Sequence, residues 1–382
     1  MHDATFDDLF AGGPPLKVQA RIGLIEPASL HVARRIVLFV LVTWVPLLIL
    51  AALGDLRLFL IDYGVPARLV IAGPLLIAGE AVCIRVLSRI ARRLLDMCSA
   101  AGADVDRLVH VLASIRRWRD APLVEVAAAG LAFGVSLAVI HGLPLSLLPP
   151  WHHAGGDDTV LSPAGWWYAL VSLPLLLMLI LGWVWRLLLW TRFLVVVARL
   201  DLKLVPVHPD KAAGLGFVGY SVRAYCLVGA ALGSIVAGSV ANQVVNQGAT
   251  LVQFKFAIAG LVMVTLALFT APLLVFGPRL LATWRQGVRE YGELAAAFGR
   301  QFELEWFAQR RPLNKDVLER GDFSAATDLY QVVDRIHDLR LVPLDYTSIA
   351  LLAGATLLPF VPVVLIALPF DVVLDAVVGL LR

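Results

Sequence analysis

The chain has 382 residues, of which 59% are hydrophobic and only 16% are charged. Water-soluble globular domains are about 45–50% apolar and about 25% charged, so this composition excludes a soluble protein. The apolar residues gather in runs of about 20, the length that crosses roughly 30 Å of hydrocarbon. The chain is therefore expected to be an integral membrane protein that crosses the bilayer several times.

Seven membrane-spanning helices are predicted and are numbered here in chain order. They cover about Ile36–Leu53, Leu69–Leu87, Val124–Leu147, Trp166–Leu189, Tyr220–Val244, Phe254–Phe276 and Ser348–Leu368. The predicted fold class is an all-α membrane protein with about seven transmembrane helices and a small helical cytoplasmic segment between spans 6 and 7.

The chain divides into four parts on this prediction. A polar cytoplasmic tail (1–35) precedes spans 1–6 with their short loops (36–276), an amphipathic cytoplasmic segment (277–346), and the last span with an interfacial tail (347–382). The amphipathic segment contains a helix near Ser324–Leu339, in which apolar side chains recur at helical spacing. The end of the last part, Asp371–Arg382, is predicted to be an interfacial helix.

The basic residues indicate the orientation of the helices. The segments 1–35, 85–120, 186–223 and 277–346 carry 28 of the 32 Lys and Arg residues, and the other side carries four. Basic loops remain in the cytoplasm, so we expect a plasma (inner) membrane protein with a cytoplasmic N-terminus. This topology explains the arginines, and no nucleic-acid partner is indicated. Pro359 and Pro362 break span 7, which is either a crossing or a re-entrant hairpin, so the side of the C-terminus stays open.

Glu80 is the most informative single residue, because it lies near the middle of predicted span 2 with apolar neighbours on both sides. A carboxylate at that depth costs about 3 kcal/mol on insertion scales. We expect it to face the bundle interior, where it finds a donor or is protonated. Two interpretations remain open: a proton or cation site on a pathway, or a hydrogen-bonded residue that locks helices together.

Span 5 is unusually poor in large side chains. Nine of the 13 residues from Gly229 to Ala241 are Gly, Ala or Ser. Ser234, Gly238 and Asn242 follow helical spacing and are, with Glu80, candidates for the lining of a solute pathway. The alternative is close packing between helices through small side chains, with the amides at the end of the span in water.

The connector before span 5 contains a polar turn, His208-Pro209-Asp210-Lys211, followed by a GxGxxG pattern. This pattern opens onto a membrane span and not onto a soluble βαβ unit, so it does not indicate a dinucleotide site. Glycine amides at a helix N-terminus can bind an anion. Lys211, Gly214, Gly216 and Arg223 are therefore candidates for binding an anion or a lipid headgroup, and an ordinary tight turn is the alternative.

No metal, cofactor or catalytic set is indicated. His152, His153, Asp157 and Asp158 lie in the loop between spans 3 and 4, but their spacing fits no zinc motif, and we interpret the loop as solvated. The three cysteines have no paired spacing. Because no nucleophile–base or paired-carboxylate arrangement is recognisable, we expect that the chain is not an enzyme.

Two blocks carry a likeness to known sequences. The first is HPDKAAGLGFVG, from His208 to Gly219, and the second is DLYQVVDRIHDLRLVPLD, from Asp328 to Asp345, followed by a proline-broken apolar span. In these blocks the chain resembles a family of bacterial multi-pass integral membrane proteins of unassigned function. In that family the late block similarly joins a soluble helix to an Arg-Leu-Val-Pro turn before the last span. The resemblance implies a shared architecture and brings no activity, cofactor or catalytic residue.

Two functions of different classes remain. One is a channel or transporter for an ion or small solute, with span 5 near the pathway. The other is a non-transporting membrane scaffold or subunit that docks a cytoplasmic partner through residues 277–346. The expected partners are the lipid bilayer in either case, further copies of the chain in a homo-oligomer, and a cytoplasmic protein in the second.

Overall fold

The computed structural model describes residues 31–54, 56–98, 113–119, 121–142, 149–154, 157–308 and 322–367. Most of the predicted tail 1–35 and the whole predicted interfacial helix Asp371–Arg382 lie outside the described residues. Within the described ranges the chain is almost entirely helical. The regular strands found there are one short antiparallel pair, His153–Ala154 and Asp157–Leu161.

The long helices confirm the all-α multi-pass architecture. In the described residues, six helices are long and apolar enough to cross a membrane, and seven if a bent pair is one span. Their bounds are Val32–Ala52 (span 1), Gly64–Asp96 (span 2), Pro122–Gly142 (span 3), Pro163–Val197 (span 4), Gly216–Gln247 (span 5) and Leu251–Phe307, which begins with span 6. The bent pair, span 7, is Tyr346–Leu357 and Phe360–Ala367. Further helices of the described residues lie outside these spans, among them Leu56–Ile61 and Asp322–His337.

Several spans change helix type along their length. Span 1 consists of Val32–Thr43 and Val45–Ala52, and its break precedes Pro46, which lacks a backbone N–H. Spans 2 and 4 contain the π-helical segments Ala67–Ala72 and Tyr168–Ser172. Span 5 begins with a 3₁₀ segment, Gly216–Tyr225, before the α-helix Cys226–Gln247. The long helix that begins with span 6 consists of Leu251–Phe254 (3₁₀), Lys255–Thr270 (α), Ala271–Phe276 (3₁₀), Gly277–Glu303 (α) and Leu304–Ala308 (π).

Spans 2, 4 and 5 are longer than a bilayer requires. They contain 33, 35 and 32 residues. At about 1.5 Å per residue each is roughly 50 Å long, whereas the hydrocarbon core is about 30 Å thick. Each of these helices therefore projects beyond the hydrocarbon. We call the end of the bundle that holds the arginine-rich part of span 2 and the connector before span 5 the basic end.

Span 5 lies at the centre of the bundle. Of the six long helices it has the largest buried share of its apolar window, 67%. A Cβ atom added at Gly233 would lie 2.1 Å from the carbonyl oxygen of Thr356 in span 7, and one added at Gly238 would lie 2.3 Å from the Cβ of Ala67 in span 2. The small residues of span 5 thus allow its backbone to touch two neighbouring spans, which is the packing alternative of the sequence analysis.

The two prolines of span 7 produce the predicted break. The helix axis turns by 50° between Leu357 and Phe360. Pro359 lies at this turn, and its Cγ is 3.3 Å from the position that a Cβ of Gly233 would take. The bend of span 7 therefore rests on the glycine-rich face of span 5.

The amphipathic segment after span 6 is attached to the basic end. Arg279 donates hydrogen bonds to the carbonyl oxygens of Ala198 (3.0 Å), Arg199 (3.2 Å) and Leu200 (3.2 Å) at the end of span 4. The last carbonyls of a helix have no partner in the helix itself and favour a positive charge. The helix Asp322–His337 then packs back along Gly277–Glu303, as the amphipathic pattern predicts.

The close packing of span 5 can be tested at Gly233 of span 5, with Gly260 of span 6 as the control. Gly233→Ala should lower the free energy of unfolding by about 1–3 kcal/mol, because its methyl group overlaps backbone atoms of span 7. Gly260→Ala is the matched control, since nothing lies within 4 Å of the added Cβ. It should leave stability unchanged or raise it through helix propensity. Thermal unfolding of both purified variants in nanodiscs checks this, and equal stabilities would contradict the packing.

Candidate functional site

Three charged side chains from three spans meet inside the bundle. One carboxylate oxygen of Glu80 in span 2 accepts a hydrogen bond from Nη2 of Arg35 in span 1, at 2.5 Å. The other oxygen accepts from Nη2 of Arg186 in span 4, at 3.2 Å. All three side chains are at most 2% exposed. We call these residues the charged cluster, and it joins spans 1, 2 and 4 through a single carboxylate.

Aromatic side chains hold Arg186 in place. Its guanidinium lies over the ring of Trp183, with Cζ 4.7 Å from the ring centroid, a cation–π contact. The indole Nε1 of Trp183 donates to the carbonyl oxygen of Leu76 at 3.2 Å. Gly79 leaves room for this ring, because a Cβ there would lie 3.0 Å from it. Tyr225 of span 5 packs against the edge of Trp183, with the ring centroids 6.2 Å apart.

The charges of the charged cluster do not cancel. Two guanidinium groups face one carboxylate, which leaves an excess of one positive charge. Nε and Nη1 of both Arg35 and Arg186 are buried and have no hydrogen-bond partner among the described residues. The hydroxyl of Tyr225 is in the same state. Buried donors are normally satisfied, so five unsatisfied donor atoms of these three side chains are a distinctive feature.

The burial of Glu80 agrees with the expectation from the sequence, which named no partner for it. In the sequence Arg35 ends the predicted polar tail, and Arg186 lies in predicted span 4 and in the basic segment 186–223. The structure buries both arginine side chains within the bundle, which the sequence did not indicate. The available signal was local: Arg186 stands in an apolar run between Trp183 and Trp190 with no acidic residue near it in sequence.

The pathway candidates of span 5 do not join the charged cluster in contact. Ser234 is 3% exposed, and its hydroxyl donates to the carbonyl oxygen of Ala230, 2.8 Å away in the preceding turn. Gly238 faces Ala67 of span 2. The side-chain oxygen of Asn242 accepts from Nδ2 of Asn246 at 2.7 Å. In this conformation Ser234 and Gly238 lie in helix contacts.

The glycine amides of the connector are used by the chain itself. The carboxylate of Asp210 accepts from the backbone N–H of Ala212 (2.9 Å), Gly214 (3.1 Å) and Gly216 (2.8 Å). Burial alone would raise the pKa of Asp210, but these three amides and His208 outweigh it and lower the pKa. The amides that were candidates for an external anion therefore already bind an internal one.

Lys211 of the connector and Arg223 at the start of span 5, the two basic candidates, bind residues of the late block. Nζ of Lys211 lies 2.6 Å from Oδ2 of Asp338, and its carbonyl oxygen accepts from the N–H of Arg340 at 2.8 Å. Nη2 of Arg223 lies 2.9 Å from Oδ2 of Asp345, which caps the first turn of span 7. The two blocks that carry the family resemblance thus lie against each other and fix span 5 to span 7 at the basic end.

At the opposite end of the bundle the loop between spans 3 and 4 forms a buried cap. Nε1 of Trp151 donates to Oδ2 of Asp62 at 2.9 Å. The ring of His152 lies against that of Trp151, with centroids 3.7 Å apart, and only 5% of His152 is exposed. The interpretation of this loop as solvated is therefore wrong for His152. Burial, with a smaller effect from the charge of Arg68, lowers the pKa of His152 to about 3, although the hydrogen bond to the carbonyl oxygen of Pro149 acts to raise it.

Comparison with known proteins gives no assignment: no family model, no curated protein and no solved structure matches the chain. The family resemblance of the two blocks stays a prediction. In the described residues no group of three or more His, Cys, Asp or Glu side chains could hold a metal ion. The charged cluster is therefore the candidate functional site on its geometry alone.

The charged cluster predicts a large cost for removing its single acid. Glu80→Ala leaves two buried guanidinium groups without a counter-charge, so the free energy of unfolding should fall by about 3–5 kcal/mol. The control is Asp338→Asn, which breaks an exposed pair with Lys211 and should leave unfolding unchanged, since exposed pairs contribute little. Equal unfolding temperatures for both variants in nanodiscs would show that Glu80 does not hold the arginines.

The buried cap predicts a pH dependence of stability that belongs to His152. Its folded pKa, about 3, lies below the value near 6.5 of an unfolded chain. The contribution of neutral His152 is therefore complete above pH 6.5 and declines as the pH falls towards 3, by up to about 1.4 kcal/mol per pH unit. His152→Phe should flatten the unfolding temperature between pH 6.5 and 4.5, and His337→Gln, an exposed control, should not. Unchanged slopes in both variants would refute the buried neutral imidazole.

Proposed function

We propose that this multi-pass membrane protein is a carrier for a small solute, and that the charged cluster of Arg35, Glu80 and Arg186 is its solute site. The observation that supports this proposal is the burial of three ionisable groups from three spans at one point. Ionisable residues inside membrane bundles are rare and commonly mark substrate or ion pathways. The proposal includes the inner membrane and a cytoplasmic basic end, on the distribution of Lys and Arg.

Stability is a poor reason for such a cluster. Several kcal/mol are needed to remove each ion from water, and replacing a buried ionic group by apolar side chains of similar volume is often neutral or stabilising. Three spans of this bundle could have been joined by leucine and alanine at lower cost. A role in binding a charged solute gives Arg35 and Arg186 a reason to be there that packing does not.

A carrier fits the described conformation better than an open channel. The glycine contacts of span 5 with spans 2 and 7 leave its Ser234 and Gly238 covered. The π-helical segments and the 50° bend of span 7 are irregular backbone of the kind found at functional sites within membrane bundles. We place the moving contact at this bend, where Thr356 and Pro359 of span 7 lie against Gly233 of span 5.

A second candidate, a non-transporting subunit, has one observation in its favour. The amphipathic helices Gly277–Glu303 and Asp322–His337 leave large apolar side chains exposed, among them Leu294 (55%) and Tyr330 (52%). Arg279 and Lys211 fix these helices to the bundle. Such a surface suits a protein partner, and in this case the covered face of span 5 needs no second conformation.

Solute flux distinguishes the two candidates. Purified protein in liposomes should move a small charged solute down its gradient, and Arg186→Gln should reduce the rate at least tenfold, because it removes one side of the charged cluster. Arg85→Gln is the matched control: Arg85 lies on the same span as Glu80 but is exposed, and its Nε is bonded to its own helix at Ala81. It should retain the wild-type rate.

The result that would overturn the carrier is equally direct. If wild-type liposomes move neither halides, carboxylates, alkali cations nor protons faster than empty liposomes under an imposed gradient, the subunit becomes the better account. A wild-type rate that Arg186→Gln leaves unchanged would retain transport but remove the charged cluster from it.

A further inference from the structure

We infer that the charged cluster binds a small monovalent anion of halide size, held by the guanidinium groups of Arg35 and Arg186 beside the hydroxyl of Tyr225. The inference deepens the proposed function, since it names the class of solute for the site assigned there. It differs from the expectation drawn from Glu80 alone, which favoured a proton or a cation.

The charged cluster carries an uncompensated positive charge. Spans 1, 2, 4 and 5, which surround the cluster, contain two acidic residues, Glu80 and Asp96. Asp96 is the last residue of span 2, sixteen positions from Glu80, which at about 1.5 Å per residue is roughly 24 Å away. The second guanidinium of the cluster therefore has no acidic partner in these spans. A monovalent anion would bring the net charge of the buried group to zero, whereas a cation would raise it to two.

Both guanidinium groups of the charged cluster keep N–H donors without an acceptor among the described residues. Arg35 and Arg186 each spend one nitrogen on Glu80, and Nε and Nη1 of each remain buried without an acceptor among the described residues. Water could accept from these N–H groups, but water carries no charge. An anion accepts from several donors and supplies the missing charge at the same place, and hydrogen bonds between ions are about twice as strong as neutral ones.

Tyr225 adds a donor from a fourth helix. Its ring lies against Trp183, which also lies against the guanidinium of Arg186. The residue is fully buried, and its O–H has no partner among the described residues. An unsatisfied O–H donor whose ring shares Trp183 with an unsatisfied guanidinium suits an anion, and complete burial restricts the ligand to a small one.

The neighbouring indole provides a direct test. Iodide is titrated against gluconate at constant ionic strength into protein in neutral-lipid nanodiscs, and tryptophan fluorescence is recorded. Because Trp183 lies 4.7 Å from the Arg186 guanidinium, bound iodide should quench it in a saturable manner. Collision with exposed indoles gives quenching that rises linearly. Trp183→Phe should remove the saturable component only.

Changes of charge in the cluster should move the affinity in opposite directions. Arg186→Gln leaves the neutral pair of Arg35 and Glu80 and should weaken iodide binding about tenfold or more, whereas Glu80→Gln removes the competing carboxylate and should strengthen it by a similar factor. Arg186→Lys retains the charge and should keep saturable quenching. It replaces Arg186→Gln as the test variant if the latter does not fold. Arg85→Gln, the exposed control, should behave as wild type.

Two outcomes would overturn the inference: linear quenching alone in the wild type, or a saturable component that Trp183→Phe or Arg186→Gln leaves intact. Failure of the proposed function is a separate result. Saturable iodide binding in a protein without any flux would leave the anion site standing and remove the carrier. Flux of cations without iodide binding would leave the carrier standing and remove the anion site.

Discussion

A single carboxylate buried between apolar helices constrains the rest of this bundle. Glu80 needs donors, and Arg35 and Arg186 supply them from two other spans at 2.5 and 3.2 Å. Each partner would be costly to bury alone, so the three helices are held in one register. The contact of Trp183 with both Arg186 and the backbone of span 2 extends the same constraint to the aromatic side chains around it.

Span 5 is constrained differently, by close packing of its small side chains against neighbouring helices. Its glycines let the backbones of spans 2 and 7 approach within van der Waals distance, and in lipid such contacts replace the hydrophobic driving force that acts in water. At the basic end, ion pairs link span 5 and its connector to the chain that leads into span 7, Lys211 with Asp338 and Arg223 with Asp345. The glycine contact lies at the bend of span 7, so the first part of that span, Tyr346–Leu357, connects the ion pairs of the basic end with the centre of the bundle.

The architecture followed from the sequence because hydropathy and length decide which segments cross a membrane. The predicted spans agree with the observed helices to within a few residues at most ends, and the break of span 7 follows from Pro359 and Pro362. The burial of Glu80 could also be predicted, since an acidic side chain in an apolar run is expected to face the interior of the bundle.

The partners of Glu80 could not be predicted from the sequence. Arg35 and Arg186 stand near predicted span ends, where arginine usually reaches the interface, and 45 and 106 residues separate them from Glu80. No local pattern reports which helices become neighbours. The same limit applies to Lys211, whose partner is 127 residues away. The hydrogen bond of Asp210 to the N–H of Ala212 could have been predicted from the sequence, because aspartate commonly accepts from the backbone two residues on. The same carboxylate also accepts from the amides of Gly214 and Gly216.

The central claim is that Glu80 and Arg186 act on each other inside the bundle, and a double-mutant cycle measures this directly. The unfolding free energies of wild type, Glu80→Gln, Arg186→Gln and the double variant give a coupling energy. The account predicts a favourable coupling of about 2 kcal/mol, near the upper part of the range for contacting groups. Additive effects of the two substitutions would contradict it.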